Sequence, residues 1–297
     1  MRYAIIGYGN IGKKRKAVLG GKCTVLIDPI NPEAQYKFIN EVPVNSYDAA
    51  IVSTPNSVKI EILEYLLLNG KNALIEKPLL FSDYNIANNI NHISIKNGVI
   101  WYTSYNHRFE PLIGKLKEYL ESDTIGEVYF ASFAYGNGTV QNIANTWRDV
   151  GMGVIDDLGC HLIDLVSFLF NKKFEYQIIS SNNHEARVND HCSFISTDHK
   201  ITFTCSYLMW KNTFTIDVYG SEGSVHIDGL NKWGGASFIH RERIFPSGIP
   251  IEHKVSTSGT DDTWRDDCHQ FERMISKQQN SFENDLMISN ALNEICG

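Results

Sequence analysis

Cysteine is scarce and scattered in this chain. The six cysteines, Cys23, Cys160, Cys192, Cys205, Cys268 and Cys296, form no CxxC pair. In a chain of 297 residues, that excludes a small disulfide scaffold or a zinc framework and reads as reduced thiols of a cytoplasmic protein. A surplus of positive charge is also missing. With 27 Lys and Arg against 34 Asp and Glu, the formal net charge is -7. Nucleic acid is therefore not expected as a partner, because neutralising phosphates needs a basic stripe. Long apolar runs are absent too. The densest, EILEYLLLNG from Glu61, is broken by Glu64 and falls far short of the roughly 20 residues that span a bilayer. A glycine-rich turn is reached by the seventh residue, so neither a secretory leader nor a membrane anchor is expected.

What is present is material for a core, with 43% apolar and 21% charged residues. Up to about residue 105, the runs RYAIIG, CTVLID, AAIVST, NALIEK and GVIWYTSY alternate with helical patterns such as SVKIEILEYLLLNG. That alternation predicts βαβ units around a parallel sheet. Between Asp28 and Asp48 the pattern is compressed: NPEAQYKFINE predicts one helix, and VPV at most a stub of strand. Beyond about residue 123 come EVYFASFAYGN, FEYQIISSN, HCSFIST, KITFTCSYLMW, TFTIDVYG, GSVHIDG and GASFIHR, all strand-like. A helix over about 153–170 interrupts them, and the chain from Asp261 reads as helical. The expected fold class is α/β: a Rossmann dinucleotide-binding domain over 1–106, then an α+β domain over 107–297 with a large open mixed or antiparallel sheet.

Gly7-Tyr8-Gly9-Asn10-Ile11-Gly12 is a G-x-G-x-x-G turn between the first strand and the first helix. Gly7 makes the tight turn, Gly9 lets the backbone approach a pyrophosphate, and Gly12 allows close packing of helix on strand. A pyrophosphate held there meets the N–H groups of the helix N-terminus. Asp28 ends CTVLID, 21 residues after Gly7, where a ribose-binding carboxylate is expected. It should accept from the ribose hydroxyls and repel a 2′-phosphate, so NAD is expected in preference to NADP. The basic cluster Lys13–Lys16 reads as a solvated helical turn, or as a contact for an extra phosphate.

Thr54-Pro55-Asn56 and Glu76-Lys77-Pro78 each close a strand at its C-terminal end, the edge where open α/β sheets bind ligands. Taken alone, Lys77 is also compatible with an ordinary surface lysine. Further along lie Tyr105-Asn106-His107-Arg108-Phe109 and GMGVIDDLGCHLID from Gly151 to Asp164.

Together these motifs, with GEVYF at 126–130 and YGSEG at 219–223, resemble the glucose–fructose oxidoreductase / inositol dehydrogenase (Gfo/Idh/MocA) family of NAD(P)-dependent oxidoreductases. That family reads G-G-G-x-L-x-D-x-G-x-H-x-x-D in the last stretch. Gly151, Gly153, Asp157, Gly159, His161 and Asp164 match it, while Met152 replaces a glycine and Ile155 a leucine. Lys59 stands where the family often has histidine, and Arg15 where a histidine often follows the glycine turn. The resemblance implies NAD as cofactor, held by Gly7 to Gly12, Asp28, Thr54, Pro55, Asn56, Glu76, Lys77 and Asn106. It implies Lys77, Asp157 and His161 as catalytic residues, and hydride transfer at a carbon of a sugar, nucleotide sugar or cyclitol. It further implies a homodimer or homotetramer formed through the C-terminal sheet.

The chemistry is consistent with that. Oxidising a secondary alcohol needs a proton acceptor, and histidine titrates near 6.5, whereas lysine, near 10.4, must first be depressed. On an ideal helix Asp157, His161 and Asp164 fall within about 60° of one another, while Ile155, Leu158, Leu162, Leu165 and Leu169 share another face. His161 is read as the acid/base, with Lys77 the alternative proton acceptor; Lys77 otherwise polarises or protonates the substrate oxygen, and Asp157 is read as a sugar ligand or a tuner of His161. Trp147, Arg148 and Arg108 are read as sugar contacts, with a surface ion pair the equal alternative for Arg108. The Asp157–His161–Asp164 stripe could also ligate a metal, but a second histidine is missing from the spacing, and no metal is expected. The competing functions are a non-catalytic dinucleotide sensor and a redox-neutral glycosidase or lyase that uses NAD transiently.

Overall fold

The computed structural model describes every residue except Ala144, Asn145, Trp147 and Gly297. The first half of the chain runs β1 (Tyr3–Ile6), α1 (Asn10–Leu19), β2 (Cys23–Ile27), β3 (Ala49–Val52), α2 (Asn56–Leu68), β4 (Asn72–Glu76), α3 (Tyr84–Asn97), β5 (Trp101–Ser104) and α4 (Pro111–Glu121). Then follow β6 (Val128–Gly136), the short α5 (Val140–Ile143), α6 (Cys160–Phe170), β7 (Tyr176–Asn182), β8 (His191–Ser196), β9 (Ile201–Ser206), β10 (Thr213–Gly220), β11 (Gly223–Asp228), β12 (Ser237–Glu242) and β13 (Ile251–Ser256). Two helices end the chain, α7 (Thr263–Lys277) and α8 (Phe282–Cys296). These elements form two compact units, each discontinuous in sequence. One holds Met1–Asn106 with Thr263–Ser289; the other holds His107–Asp262 with the chain from Asn290 onward.

The first unit is built on a five-stranded parallel sheet in the order β2-β1-β3-β4-β5. Every residue of β1, β3 and β5 is buried, as expected where helices cover both faces of a sheet. Leu63, Leu66 and Leu67 of α2 and Ala87 and Ile90 of α3 pack on Ala4, Ile6, Ala50 and Val52. On the opposite face, Cys268 and Phe271 of α7 join Tyr3, Ile5, Ile51, Leu74 and Tyr102. The six-stranded dinucleotide-binding sheet has the order 3-2-1-4-5-6; among the described residues no strand lies beyond β2. The expected helix in NPEAQYKFINE does not form, and two short 3₁₀ turns, Ile39–Glu41 and Val44–Ser46, occupy the region. Gln35 and Tyr36 instead run alongside β2, where the Gln35 N–H donates to the Leu26 carbonyl at 3.0 Å and the Asp28 N–H to the Tyr36 carbonyl at 3.0 Å. Those backbone bonds to β2 compete with helix formation, and this remnant of an edge ladder is what the compressed segment retains.

The second unit carries an eight-stranded sheet in the order β13-β12-β11-β10-β6-β9-β8-β7. All neighbours are antiparallel except β6 and β9. The inward face is aromatic: Phe194 stacks on Phe203 at 4.7 Å and Phe133 lies 5.5 Å from Phe203. On β6, Phe130 and Ser132 alternate outward with the buried Ala131 and Phe133. Strand β13 was not among the expected strands. It is an edge strand with all six residues exposed, so packing left little apolar pattern to read. No helix among the described residues is long and apolar enough to cross a membrane.

Candidate active site

The glycine turn leaves β1 at the point where the strand order reverses, with β2 on one side and β3 on the other, which is where open α/β sheets bind ligands. Gly7 has φ +89, and a Cβ there would lie 2.5 Å from the Ser53 carbonyl oxygen. A Cβ on Gly12 would clash with the Gly7 carbonyl, whereas one on Gly9 would meet nothing within 4 Å. Gly7 and Gly12 are therefore required by the fold, and Gly9 leaves space beside the N-terminus of α1. That helix has neither an acidic residue in its first turn nor a side-chain cap, so its N-terminal N–H groups suit an anion. Tyr8 is buried, Ile11 is partly buried and Asn10 is exposed.

Asp28 stands at the end of β2 and binds the protein's own backbone. Its carboxylate accepts the N–H of Tyr8 at 2.7 Å, Asn31 at 2.8 Å and Ile30 at 2.9 Å. Partial burial pushes this carboxyl up, but the N–H groups of Asn31, Ile30 and Tyr8 outweigh it and hold the group below its ordinary value. Three of about four acceptor sites are thus occupied, and Asp28 ties β2 to the glycine turn besides any role toward a ribose.

The cluster Lys13–Lys16 is not one solvated turn. Lys13 pairs with Glu33 at 3.3 Å, while Lys14 and Lys16 lie over the Trp264 and Tyr8 rings at 5.3 and 5.1 Å. Arg15 is fully buried. Its Nε donates to Glu76 Oε1 at 2.6 Å, and its Nη2 donates to Asp267 Oδ2 at 2.6 Å and Ser104 Oγ at 2.7 Å. Helical position explains this: Arg15 lies three residues after Gly12, on the stripe that faces the sheet. Burial opposes its charge, but Glu76 and Asp267 keep it protonated.

Glu76 therefore has its carboxylate in a buried ion pair while its carbonyl belongs to a second cation. Lys59 is 2% exposed, and its Nζ donates to Glu76 O at 2.6 Å, Asn56 Oδ1 at 2.7 Å, Pro78 O at 2.8 Å and Lys77 O at 3.2 Å. Thr54 Oγ1 and the adjoining Ser53 Oγ are buried hydroxyls with no hydrogen-bond partner. Asn106 donates from Nδ2 to Thr263 Oγ1 at 3.0 Å.

In the second unit, the stretch from Ile155 to Gly159 is a π turn that leads into α6. The wheel assumed from the sequence therefore fails at Asp157, because a π turn winds more residues per revolution than an α turn. Nor is α6 amphipathic: His161 is 4% and Asp164 1% exposed, among buried Leu162, Ile163, Leu165 and Val166. His161 Nδ1 lies 2.8 Å from His107 Nδ1, and the His107 ring stacks on Phe214 at 5.9 Å. Asp157 Oδ2 accepts from the Tyr207 hydroxyl at 3.0 Å and lies 3.5 Å from Arg148 Nε. Burial, then the Asp157 carboxylate, push the Tyr207 hydroxyl well up, so it remains a donor. Asp164 takes the guanidinium of Arg108 in a fork, with Nε at 2.7 Å. The ion pair is thus the observed state of Arg108. Gly153, at φ +64, has a Cβ position that would overlap the Asn189 carbonyl, so the turn into the helix requires glycine there. Trp147 lies outside the described residues.

Residues 1–105 match the oxidoreductase family with an NAD-binding Rossmann fold, and residues 113–226 match the GFO/IDH/MocA C-terminal domain. The chain belongs to the GFO/IDH/MocA oxidoreductase family. An uncharacterised oxidoreductase of Streptococcus pneumoniae is 23% identical over 270 residues, covering 82% of this chain and 73% of that one. A scyllo-inositol 2-dehydrogenase (NAD(+)) of Bacillus subtilis is 23% identical over 209 residues, covering 64% of this chain and 58% of that one. Levoglucosan dehydrogenase, solved with NADH and levoglucosan, superposes with a TM-score of 0.83 at 15% identity, over 100% of this chain and 96% of that one. At that identity the last likeness concerns the fold.

As a member of the GFO/IDH/MocA family, the chain is an NAD-binding oxidoreductase, and its first unit fits the dinucleotide. The space at Gly9, the uncapped start of α1 and the unpartnered hydroxyls of Ser53 and Thr54 are all features a bound dinucleotide would satisfy. Ser53, His107, Lys59 and Tyr207 were not singled out as site residues from the sequence. His107 is 54 residues from its partner His161, and no local spacing rule connects them. Ser53 stands directly before a turn that was read, and its place at a strand end was the available signal.

Proposed function

We propose that the chain transfers hydride between NAD and a hydroxyl-bearing carbon of a sugar, nucleotide sugar or cyclitol. The observation that carries this reading is the contact of 2.8 Å between His161 Nδ1 and His107 Nδ1. At that distance one ring donates and the other accepts. With His161 donating, its Nε2 is left as the acceptor, and protonation at Nε2 leaves the donated Nδ1–H in place. His161 can thus take the hydroxyl proton as general base and return it as general acid without moving. Bound NAD supplies the hydride acceptor. Lys77, at the C-terminal end of β4, polarises the substrate oxygen. Asp157, oriented by Tyr207, binds a substrate hydroxyl, with Arg148 beside it and Arg108 holding Asp164. Gly7 to Gly12, Asp28, Thr54, Pro55, Asn56, Glu76 and Asn106 hold the cofactor, and Asp28 selects NAD over NADP by repelling a 2′-phosphate. The protein works in the cytoplasm as a homodimer or homotetramer formed through the outward face of its large sheet.

The test is NADH formation on a panel of sugars, nucleotide sugars and cyclitols, followed by kcat for His161→Ala and Lys77→Ala on the best substrate. Each variant is expected to lose about 10²–10⁴ in kcat. Near-wild-type kcat in both would refute the assignment, and NAD binding without turnover on the whole panel would favour a sensor.

A further inference from the structure

We infer that Lys59 is a positioning residue for Lys77, clamping the Glu76–Lys77–Pro78 turn to the Thr54–Pro55–Asn56 turn. The inference rests on reading Lys77 as the residue that meets the substrate oxygen. Lysine is almost never fully buried unless its charge is compensated, yet Lys59 is 2% exposed. It also stands in the first turn of α2, where the helix dipole disfavours a cation. Two opposing costs at one position call for a compensating set of acceptors, and the geometry supplies it. The ammonium has three N–H bonds, and three short contacts take them: Glu76 O at 2.6 Å, Asn56 Oδ1 at 2.7 Å and Pro78 O at 2.8 Å.

Two of those acceptors, the Glu76 and Pro78 carbonyls, flank Lys77 on both sides along the chain, and the Lys77 carbonyl itself lies 3.2 Å from Nζ. Arg15 holds the Glu76 carboxylate at 2.6 Å, so the residue before Lys77 is bound at both its backbone and its side chain. The direction in which the Lys77 side chain leaves the backbone is set by this turn. Charge-assisted bonds to carbonyls are about twice as strong as neutral ones. An apolar side chain of the same length would remove these donors from the Glu76 and Pro78 carbonyls and from the Asn56 amide oxygen.

The test compares full-length Lys59→Met with wild type in three measurements. The first is the rate at which an acetylating N-hydroxysuccinimide ester modifies Lys77, read by mass spectrometry against exposed Lys37. The second is NADH affinity, and the third is steady-state turnover. Lys59→Met is expected to change the relative Lys77 rate at least about threefold and to lower kcat, read at saturating NAD, at least about tenfold, as displacement of a reacting group predicts; the NADH affinity separates that loss from any weakening of the cofactor contacts at Asn56 and Glu76. Lys59→Arg, which keeps charge and donors, is expected to recover most of the lost kcat. If Lys59→Met does not fold, Lys59→Gln takes its place, with the same direction of change in labelling and kcat. An unchanged Lys77 rate in a folded variant overturns the inference, as does equal loss of kcat in the Met and Arg variants. If wild type turns over no polyol while the Lys77 rate still changes in Lys59→Met, the functional reading fails and the clamp stands.

Discussion

Asp28 shows how one side chain can serve two tasks. Its carboxylate takes three backbone N–H groups, and its pKa is lowered as a result. The stabilisation is present above the unfolded carboxyl value of about 3.9 and is lost as pH falls through the lower folded value, because the unfolded chain binds more protons in that window. Urea midpoints measured from about pH 5 down to about pH 2.5 should therefore fall with acid, and less steeply in Asp28→Asn, which has no carboxylate to protonate. Equal slopes for the two proteins would show that the N–H contacts do not hold the carboxylate. Lys59 and Arg15 make the same point at the other turn. Each is a cation read from the sequence as a departure from a family pattern, and each is buried against that turn or the Glu76 side chain.

At the scale of the element, the glycine turn separates into fold and function. Gly12→Ala should lower both thermal stability and NAD affinity, since its Cβ meets the Gly7 carbonyl within one packed unit. Gly9→Ala has open space around its Cβ and should leave the melting temperature nearly unchanged while weakening NAD binding at least tenfold, about 1.4 kcal/mol. Thermal-shift curves with and without NAD distinguish the two, and equal behaviour of both variants would contradict the assignment. The segment before α6 teaches the converse lesson. Its composition is helical, and Asp157, His161 and Asp164 read as one stripe, yet a π turn separates Asp157 from the helix proper. Each polar group then finds its own partner, in Tyr207, His107 and Arg108.

At the scale of the molecule, the large sheet turns an inward aromatic face to its helices and an outward face on which Phe130, half exposed, stacks on Tyr219 at 4.5 Å. Under the proposed assembly, sedimentation should give a dimer or tetramer mass. Phe130→Asp should shift it toward the monomer by placing charge in the interface core, where charged residues are depleted. A wild-type monomer at micromolar concentration would overturn the proposal. The first unit raises no such question of a free face: helices cover its parallel sheet on both sides.

By itself the sequence determined the parallel sheet, the glycine turn, the strand-rich second part and the motifs that mark the family. These depend on periodicity and on glycines whose conformational freedom is local. It also registered the compressed stretch after Asp28, though not that no strand lies beyond β2 among the described residues. Tertiary structure alone decided that Arg15 and Lys59 are buried, that His107 meets His161, that Asp157 answers to Tyr207, and that a π turn breaks the expected stripe. The physical reason is common to all four. Each depends on groups from different elements meeting in space, or on a backbone hydrogen-bond choice made under packing, and neither leaves a periodic trace along the chain.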